Sequence, residues 1–142
     1  MILYADTSFL VAAYIIDAHS PAVVSRMANR PAVYLTPFSR SEVANAIHRQ
    51  AFTGQLLLAE VQRAWRSFES DCAVGAWHSV LFPNSAWETC ADLARRFGPT
   101  LGVRTLDSLH VACALELKAH KFWTFDERQA RLAEAVGLDT TP

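Results

Sequence analysis

Four carboxylates stand at comparable places along the chain. Asp6 directly follows the first apolar run, and Glu42 lies in the first turn of the helix expected after the second. Asp107 opens a late helix, and Asp126 follows the run Lys121 to Thr124. In an open parallel sheet the carboxyl ends of the strands form the crevice where ligands bind. Chain order puts three of these acids near that edge, and Asp107 reaches it if its helix begins on the same side. Two unscreened carboxylates ~5 Å apart at an effective dielectric near 20 repel by about 3 kcal/mol, so four gathered in one crevice call for a cation. Hard oxygen donors of this kind suit Mg²⁺ or Mn²⁺, which keep waters and take a few carboxylates together with substrate phosphate oxygens. Such ions activate water and neutralise charge on a phosphodiester during in-line attack.

Taken singly, each acid also has a structural account. Ser39-Arg40-Ser41-Glu42 reads as a capping box, with Glu42 returning to the Ser39 amide. Asp6 and Asp126 suit N-cap positions, and Asp107 lies where a helix dipole favours negative charge. Thr124-Phe125-Asp126-Glu127 is a second box, which would use Glu127 and leave Asp126 free. Ser85-Ala86-Trp87-Glu88 has the same pattern and carries no expected chemistry, so a box alone is no sign of a site. Convergence is what separates the two accounts, because structural caps need not meet.

The elements that must position these acids follow from periodicity and punctuation. Ile2 to Ala5 is a short continuous apolar run, as expected of a strand buried on both faces. Thr7 and Ser8 cap a helix carrying Phe9, Leu10, Ala13 and Tyr14, and a second helix starts at Ser20-Pro21 and ends before Pro31. Val33 to Thr36 is the next strand, Ser39 opens a helix through about Thr53, and Gly54 stops it. A helix from Gln55 to about Asp71 aligns Leu57, Val61, Trp65 and Phe68. Val80 to Phe82 reads as a strand, and Ser85 to Phe97 as a helix closed by Gly98-Pro99. Thr105 starts a helix to about Ala119, Lys121 to Thr124 is a strand, Glu127 to Val136 the last helix, and Leu138-Asp139 a short final strand. Strands alternating with helices predict an α/β domain with a mostly parallel central sheet of four to five strands, helices covering both faces.

With 142 residues, 51% of them apolar and 19% charged, the composition implies one globular domain spanning 1–142 and excludes disorder. No run approaches the ~20 apolar residues of a membrane span, and Met1 to Ala5 lacks the flanks of a signal peptide. Cys72, Cys90 and Cys113 are far apart and read as reduced core thiols of a cytoplasmic protein. The formal charge is −1, from 13 Lys and Arg against 14 Asp and Glu, so bulk basicity does not drive nucleic-acid binding. One divalent ion in the acidic crevice would move that sum to about +1. A near-neutral total is therefore compatible with an RNA partner.

Four segments carry a family resemblance: Tyr4-Ala5-Asp6-Thr7-Ser8, Ser41-Glu42-Val43, Leu106-Asp107-Ser108-Leu109-His110-Val111-Ala112 and Thr124-Phe125-Asp126. Each is weak alone, but in this order and spacing the chain resembles PIN-domain ribonucleases, most closely the compact VapC-type toxins of type II toxin–antitoxin pairs. The resemblance covers nearly the whole length. It implies a PIN-like three-layer sandwich and a catalytic pocket of Asp6, Glu42, Asp107 and Asp126. It further implies Mg²⁺ or Mn²⁺ held by Asp6 and Asp107, with Asp126 third, and Glu42 orienting water or accepting a proton. RNA would be the substrate, a small cognate antitoxin the partner, and a homodimer the assembly. The antitoxin would dock near the helical pair that carries Phe52, Leu56 to Leu58, Trp65 and Phe68.

Other residues carry less. Ser8 and Thr124 either hydrogen-bond the site or cap their own turns. His110, three residues after Asp107, either approaches the pocket or RNA or, as the preferred expectation, packs against the sheet and donates to a backbone carbonyl. Arg40, Arg49 and Arg104 lie near the acids and suit phosphate contact or ordinary ion pairing. The five glycines are scattered singly, so no phosphate-cradling loop is present. Two competing readings remain at this level. One is a receiver-like phosphoacceptor module, which would need a lysine after a late strand, whereas Lys118 and Lys121 precede or begin it. The other is a catalytically silent PIN-like binding module, against which the intact quartet speaks.

Overall fold

Side-chain alternation in three-residue strands sets the layers. The computed structural model describes all 142 residues. In β1 (Leu3–Ala5) and β4 (Lys121–Trp123), Leu3, Ala5 and Trp123 join one core while Tyr4 and Phe122 join the other. With β2 (Val33–Leu35) and β3 (His78–Ser79) they form a parallel sheet ordered β3-β2-β1-β4. Tyr4 pairs with Tyr34 on one side and with Phe122 on the other.

Helices α1 (Thr7–Ala12), α2 (Ser20–Met27), α3 (Pro37–Phe52) and α4 (Leu58–Ala73) cover the first face through Phe9, Val23, Ile47 and Phe68. Helices α5 (Ala86–Leu101), α6 (Thr105–Glu116) and α7 (Glu127–Ala135) cover the second through Leu93, Leu109, Val111 and Leu132. The result is the expected three-layer α/β sandwich, here with four strands, all parallel. Leu138-Asp139 does not make a fifth strand and contributes only a bridge from Asp139 to Lys121.

Strand order explains where a site can form. From β1 the chain moves outward through β2 to β3, then crosses back over the other face to place β4 on the far side of β1. The order therefore reverses between β1 and β4, and at such a switch point a crevice opens beyond the carboxyl ends of the strands. Asp6 and Thr124 are the first residues past those two ends, and the Asp6 amide donates to the Trp123 carbonyl at 3.0 Å. Because α6 leads into the amino end of β4, its own first turn, with Asp107, lies at the crevice edge.

Several boundaries differ from the sequence expectation. Helix α3 starts at Pro37, because Thr36 serves as N-cap and accepts from the Ser39 amide at 3.1 Å. Ser39 is thus inside the helix, and Glu42 is released from any capping box. The strand expected at 80–82 lies at His78–Ser79 instead. Helix α5 runs through Gly98-Pro99 to Leu101 and ends at Gly102, whose φ of 60° is the left-handed conformation of a helix stop. Phe97 and Leu101 pack on the second core and carry that last turn past the proline.

Candidate functional site

Asp6 is the centre of the crevice and has no solvent exposure. As N-cap of α1 it accepts from the Phe9 amide at 3.1 Å on Oδ1, where the Ser8 hydroxyl also donates at 2.6 Å. Its Oδ2 accepts from the Thr124 hydroxyl at 2.6 Å. Burial pushes the Asp6 carboxyl pKa up, against the opposing influence of His110 and of these three donors. Ser8 and Thr124 do double duty: Ser8 Oγ accepts from the Phe125 amide at 2.9 Å, and Thr124 Oγ1 from the Asp126 amide at 2.9 Å. They tie the loop after β4 to the end of β1, so neither merely caps its own turn.

Asp126 is N-cap of α7, accepting from the Gln129 amide at 3.0 Å on Oδ1. The side chain of the same Gln129 donates from Nε2 to Asp107 Oδ1 at 3.3 Å, so one residue links the third and fourth acids. Asp107 also faces the Arg104 guanidinium at 3.4 Å, which assigns Arg104 to an ion pair. Arg40 likewise pairs with Glu69 at 2.9 Å.

Glu42 meets a group set aside at the sequence level. Its Oε1 accepts from the Thr7 hydroxyl at 3.1 Å and from His110 Nε2 at 2.7 Å. His110 is 1% exposed and does not bond a backbone carbonyl, correcting the expectation above. Its other nitrogen, Nδ1, lies 2.9 Å from the Tyr4 hydroxyl. The hydrogen bond from His110 is the main reason the Glu42 pKa is lowered, outweighing partial burial. Gln129 and His110, with Thr7, expected only as a cap, are thus site residues that sequence reasoning missed or discounted. The available signal was a histidine within the apolar run Leu109 to Ala114 of a helix buried along that stretch, where a polar ring must find partners.

The four acids are therefore gathered at one crevice edge through hydroxyls, an imidazole and a carboxamide. No three His, Cys, Asp or Glu side chains form a ready-made cluster able to hold a metal ion. The donor chemistry still fits a hard divalent cation, since such ions retain waters that bridge separated carboxylates. Two observations point the same way. The Asp6 carboxylate is held desolvated, and Gln129 Oε1, between Asp107 and Asp126 in this network, is a buried acceptor with no partner. A cavity of about 880 Å³ lies elsewhere, lined mostly by apolar residues including Tyr14, Val23 and Trp77 and by none of the four acids.

Comparison with known proteins agrees with this fold. The sequence model described as PIN domain matches residues 3–135. No match among curated proteins reaches significance. Among solved structures, the chain is similar to Mycobacterium tuberculosis VapC20, a sarcin-ricin loop cleaving toxin, at 16% identity and a TM-score of 0.74 over 98% of each chain. It is also similar to VapBC2 from Rickettsia felis, solved with a DNA fragment from its promoter, at 14% identity and a TM-score of 0.67 over 99% of this chain and 98% of that one. FitAcB from Neisseria gonorrhoeae gives 16% identity and 0.69 over 100% and 97%. At these identities the likeness is one of fold.

Proposed function

We propose, since the chain belongs to the PIN domain family, that it is a metal-dependent endoribonuclease and the toxin of a type II toxin–antitoxin pair. The observation that carries this reading is the desolvated Asp6 carboxylate at the switch point, joined through Thr124, Gln129 and Thr7 to the surroundings of the other three acids. Asp6, Asp107 and Asp126 are the residues proposed to hold Mg²⁺ or Mn²⁺. Such an ion, when bound, supplies charge neutralisation for a phosphodiester and acidifies water. Ser8 and Thr124 fix the Asp6 rotamer, and Gln129 fixes that of Asp107. Glu42 is proposed to take a proton from the attacking water as oxygen adds to phosphorus and one ester P–O bond breaks. The products are a phosphomonoester end and a hydroxyl end, the departing oxygen taking a proton.

The partner follows from the exposed apolar residues Phe52, Leu57 and Leu58, 89%, 72% and 60% accessible, at the turn joining α3 to α4. A small antitoxin is proposed to cover them, alongside a homodimer of the toxin. No helix is long and apolar enough to cross a membrane. The receiver-like reading has no support in the geometry, because Lys121 begins β4 at the opposite edge and pairs with Asp139 at 3.4 Å. The test is cleavage of RNA by purified protein freed of partner and given Mn²⁺, with growth arrest on expression. Asp6→Asn and Asp107→Asn should abolish both; a wild type that cuts no RNA, with both variants as toxic as it, overturns the proposal.

A further inference from the structure

A hydrogen-bond chain runs behind Glu42, and its polarity is fixed at both ends. At one end, Thr36 Oγ1 accepts from the Ser39 backbone amide at 3.1 Å, and an amide only donates. At the other, Glu42 Oε1 receives His110 Nε2 at 2.7 Å, and an ionised carboxylate only accepts. Between them the contacts are Thr36 Oγ1 to Ser39 Oγ at 3.1 Å, Ser39 Oγ to the Tyr4 hydroxyl at 3.3 Å, and the Tyr4 hydroxyl to His110 Nδ1 at 2.9 Å. With Thr36 donating to Ser39, Ser39 to Tyr4, Tyr4 to Nδ1 and Nε2–H to Glu42, each hydroxyl donates once and each acceptor is used. Reversing the chain leaves the Thr36 proton without an acceptor at a residue 1% exposed, and a buried donor left unpaired is unfavourable.

We infer that His110 is a positioning residue, locked by Tyr4 as the Nε2–H tautomer, which with Thr7 saturates Glu42 Oε1 and leaves Oε2 as the one oxygen that accepts the proton of the attacking water. All the hydrogen bonds that Glu42 makes fall on Oε1, and its side chain is 25% exposed. The proton that Oε2 takes comes from water and stays on the carboxyl group until solvent removes it, so His110 neither gains nor loses one. The inference rests on the nuclease reading and adds to it a residue outside the acidic quartet. Chain polarity matters because an Nδ1–H ring would present its Nε2 lone pair to Glu42 and draw the Thr7 hydroxyl, 3.1 Å from Nε2, away from the carboxylate it otherwise serves.

The two amide replacements of histidine separate the roles of its nitrogens. In His110→Gln the carboxamide nitrogen occupies roughly the Nε2 position and keeps a donor toward Glu42, while in His110→Asn it reaches only the Nδ1 position. On RNA with Mn²⁺, His110→Asn should lower kcat about 10–100-fold with KM unchanged, the range seen when an outer-shell partner is lost. His110→Gln should retain most of kcat, and melting curves of both variants report folding. Independently of any activity, ¹⁵N-correlated NMR of the metal-free wild type should show His110 protonated at Nε2 with Nδ1 as acceptor, and Tyr4→Phe should weaken that preference. Equal kcat for the Asn and Gln variants, or an Nδ1–H tautomer in the wild type, overturns the inference. A wild type with the expected tautomer that cuts no RNA overturns the nuclease reading instead.

Discussion

Replacing Asp6 by Asn tests whether this acid is kept for stability or at its expense. The asparagine retains Oδ1, so the Ser8 and Phe9 donors at 2.6 and 3.1 Å keep their acceptor, and Asn caps helices as well as Asp. Nδ2 replaces Oδ2 and becomes a donor toward Thr124, whose own proton can turn to Ser8 Oγ 3.4 Å away. That exchange loses one charge-assisted bond for a neutral one, about 1 kcal/mol. Against it stands relief of a fully buried charge, the cause of the raised Asp6 pKa. The two offset, so metal-free Asp6→Asn should unfold in urea within about 1 kcal/mol of wild type, or later than it.

Asp6→Ala removes the same charge, but it also removes the cap, worth about 1 kcal/mol, and leaves the Ser8 and Thr124 hydroxyls without their acceptor. It should be about 2–4 kcal/mol less stable than Asp6→Asn. The pH dependence has a definite sign. A carboxyl whose folded pKa is raised binds its proton more tightly in the native state, so its contribution to stability declines as pH rises from the unfolded value through the folded one. The gap favouring Asp6→Asn should therefore open with rising pH and close in acid. Mn²⁺ at about 100 times its Kd should stabilise wild type by about 2.7 kcal/mol and leave Asp6→Asn unmoved. If metal-free Asp6→Asn is more than about 2 kcal/mol less stable than wild type at neutral pH, or the gap closes as pH rises, Asp6 is an ordinary structural cap and the reasoning fails.

Gln129→Met conserves bulk but removes the amide that holds Asp107, so Mn²⁺ affinity by calorimetry should fall about 10-fold with the fold retained; unchanged affinity would free Asp107 of that support. Phe122→Ala deletes a fully buried ring stacked on Tyr4 at a centroid distance of 5.6 Å and should lower stability by about 3–5 kcal/mol in urea unfolding, whereas a loss under 1 kcal/mol would mean the second core repacks around the gap. Burial raises the pKa of all three thiols, Cys113 up to about 12, so access decides, and native protein at pH 8 should be alkylated first at Cys72, the one that is not fully buried. Peptide mapping that finds Cys113 modified as fast as a free thiol would contradict its burial.

How much of this was legible in the sequence depends on whether a residue's partner is local. Asp6 and Asp126 announce themselves because each ends a strand and caps the next helix, and both features are written within a few residues. The continuous apolar runs around Tyr4 and Phe122 gave the two-faced sheet for the same reason. Local signals misled where a stronger one stood next to them: Thr36-Pro37 outcompeted Ser39 as the start of α3, and Gly102 outcompeted Gly98-Pro99 as the end of α5. His110 and Gln129 each lie three residues beyond a site acid, yet the partners that define them are remote. Glu42 is 68 positions from His110, and Asp107 is 22 from Gln129. Only the reversal of strand order between β1 and β4 brings these helices to one edge, and strand order is not written in any window of the chain.

The same geometry dissolves the opposition between capping and chemistry from which the four acids were first approached. A carboxylate has two oxygens, and a helix cap needs one. The Asp126 side chain accepts its cap bond on Oδ1, and Glu42 takes both of its bonds on Oε1, so each fixes its rotamer with one oxygen and presents the other. Asp6 goes further, with both oxygens engaged by hydroxyls that are themselves anchored by the amides of Phe125 and Asp126. Hydroxyls rotate, so a ligand approaching Asp6 displaces or redirects a proton donor without breaking the backbone bonds behind it. A carboxylate held in this way costs stability when alone and is pre-oriented when a cation arrives. On the proposed reading, cap and ligand are successive uses of the same side chains, and the helix starts at the carboxyl edge of the sheet are where one residue can serve as both.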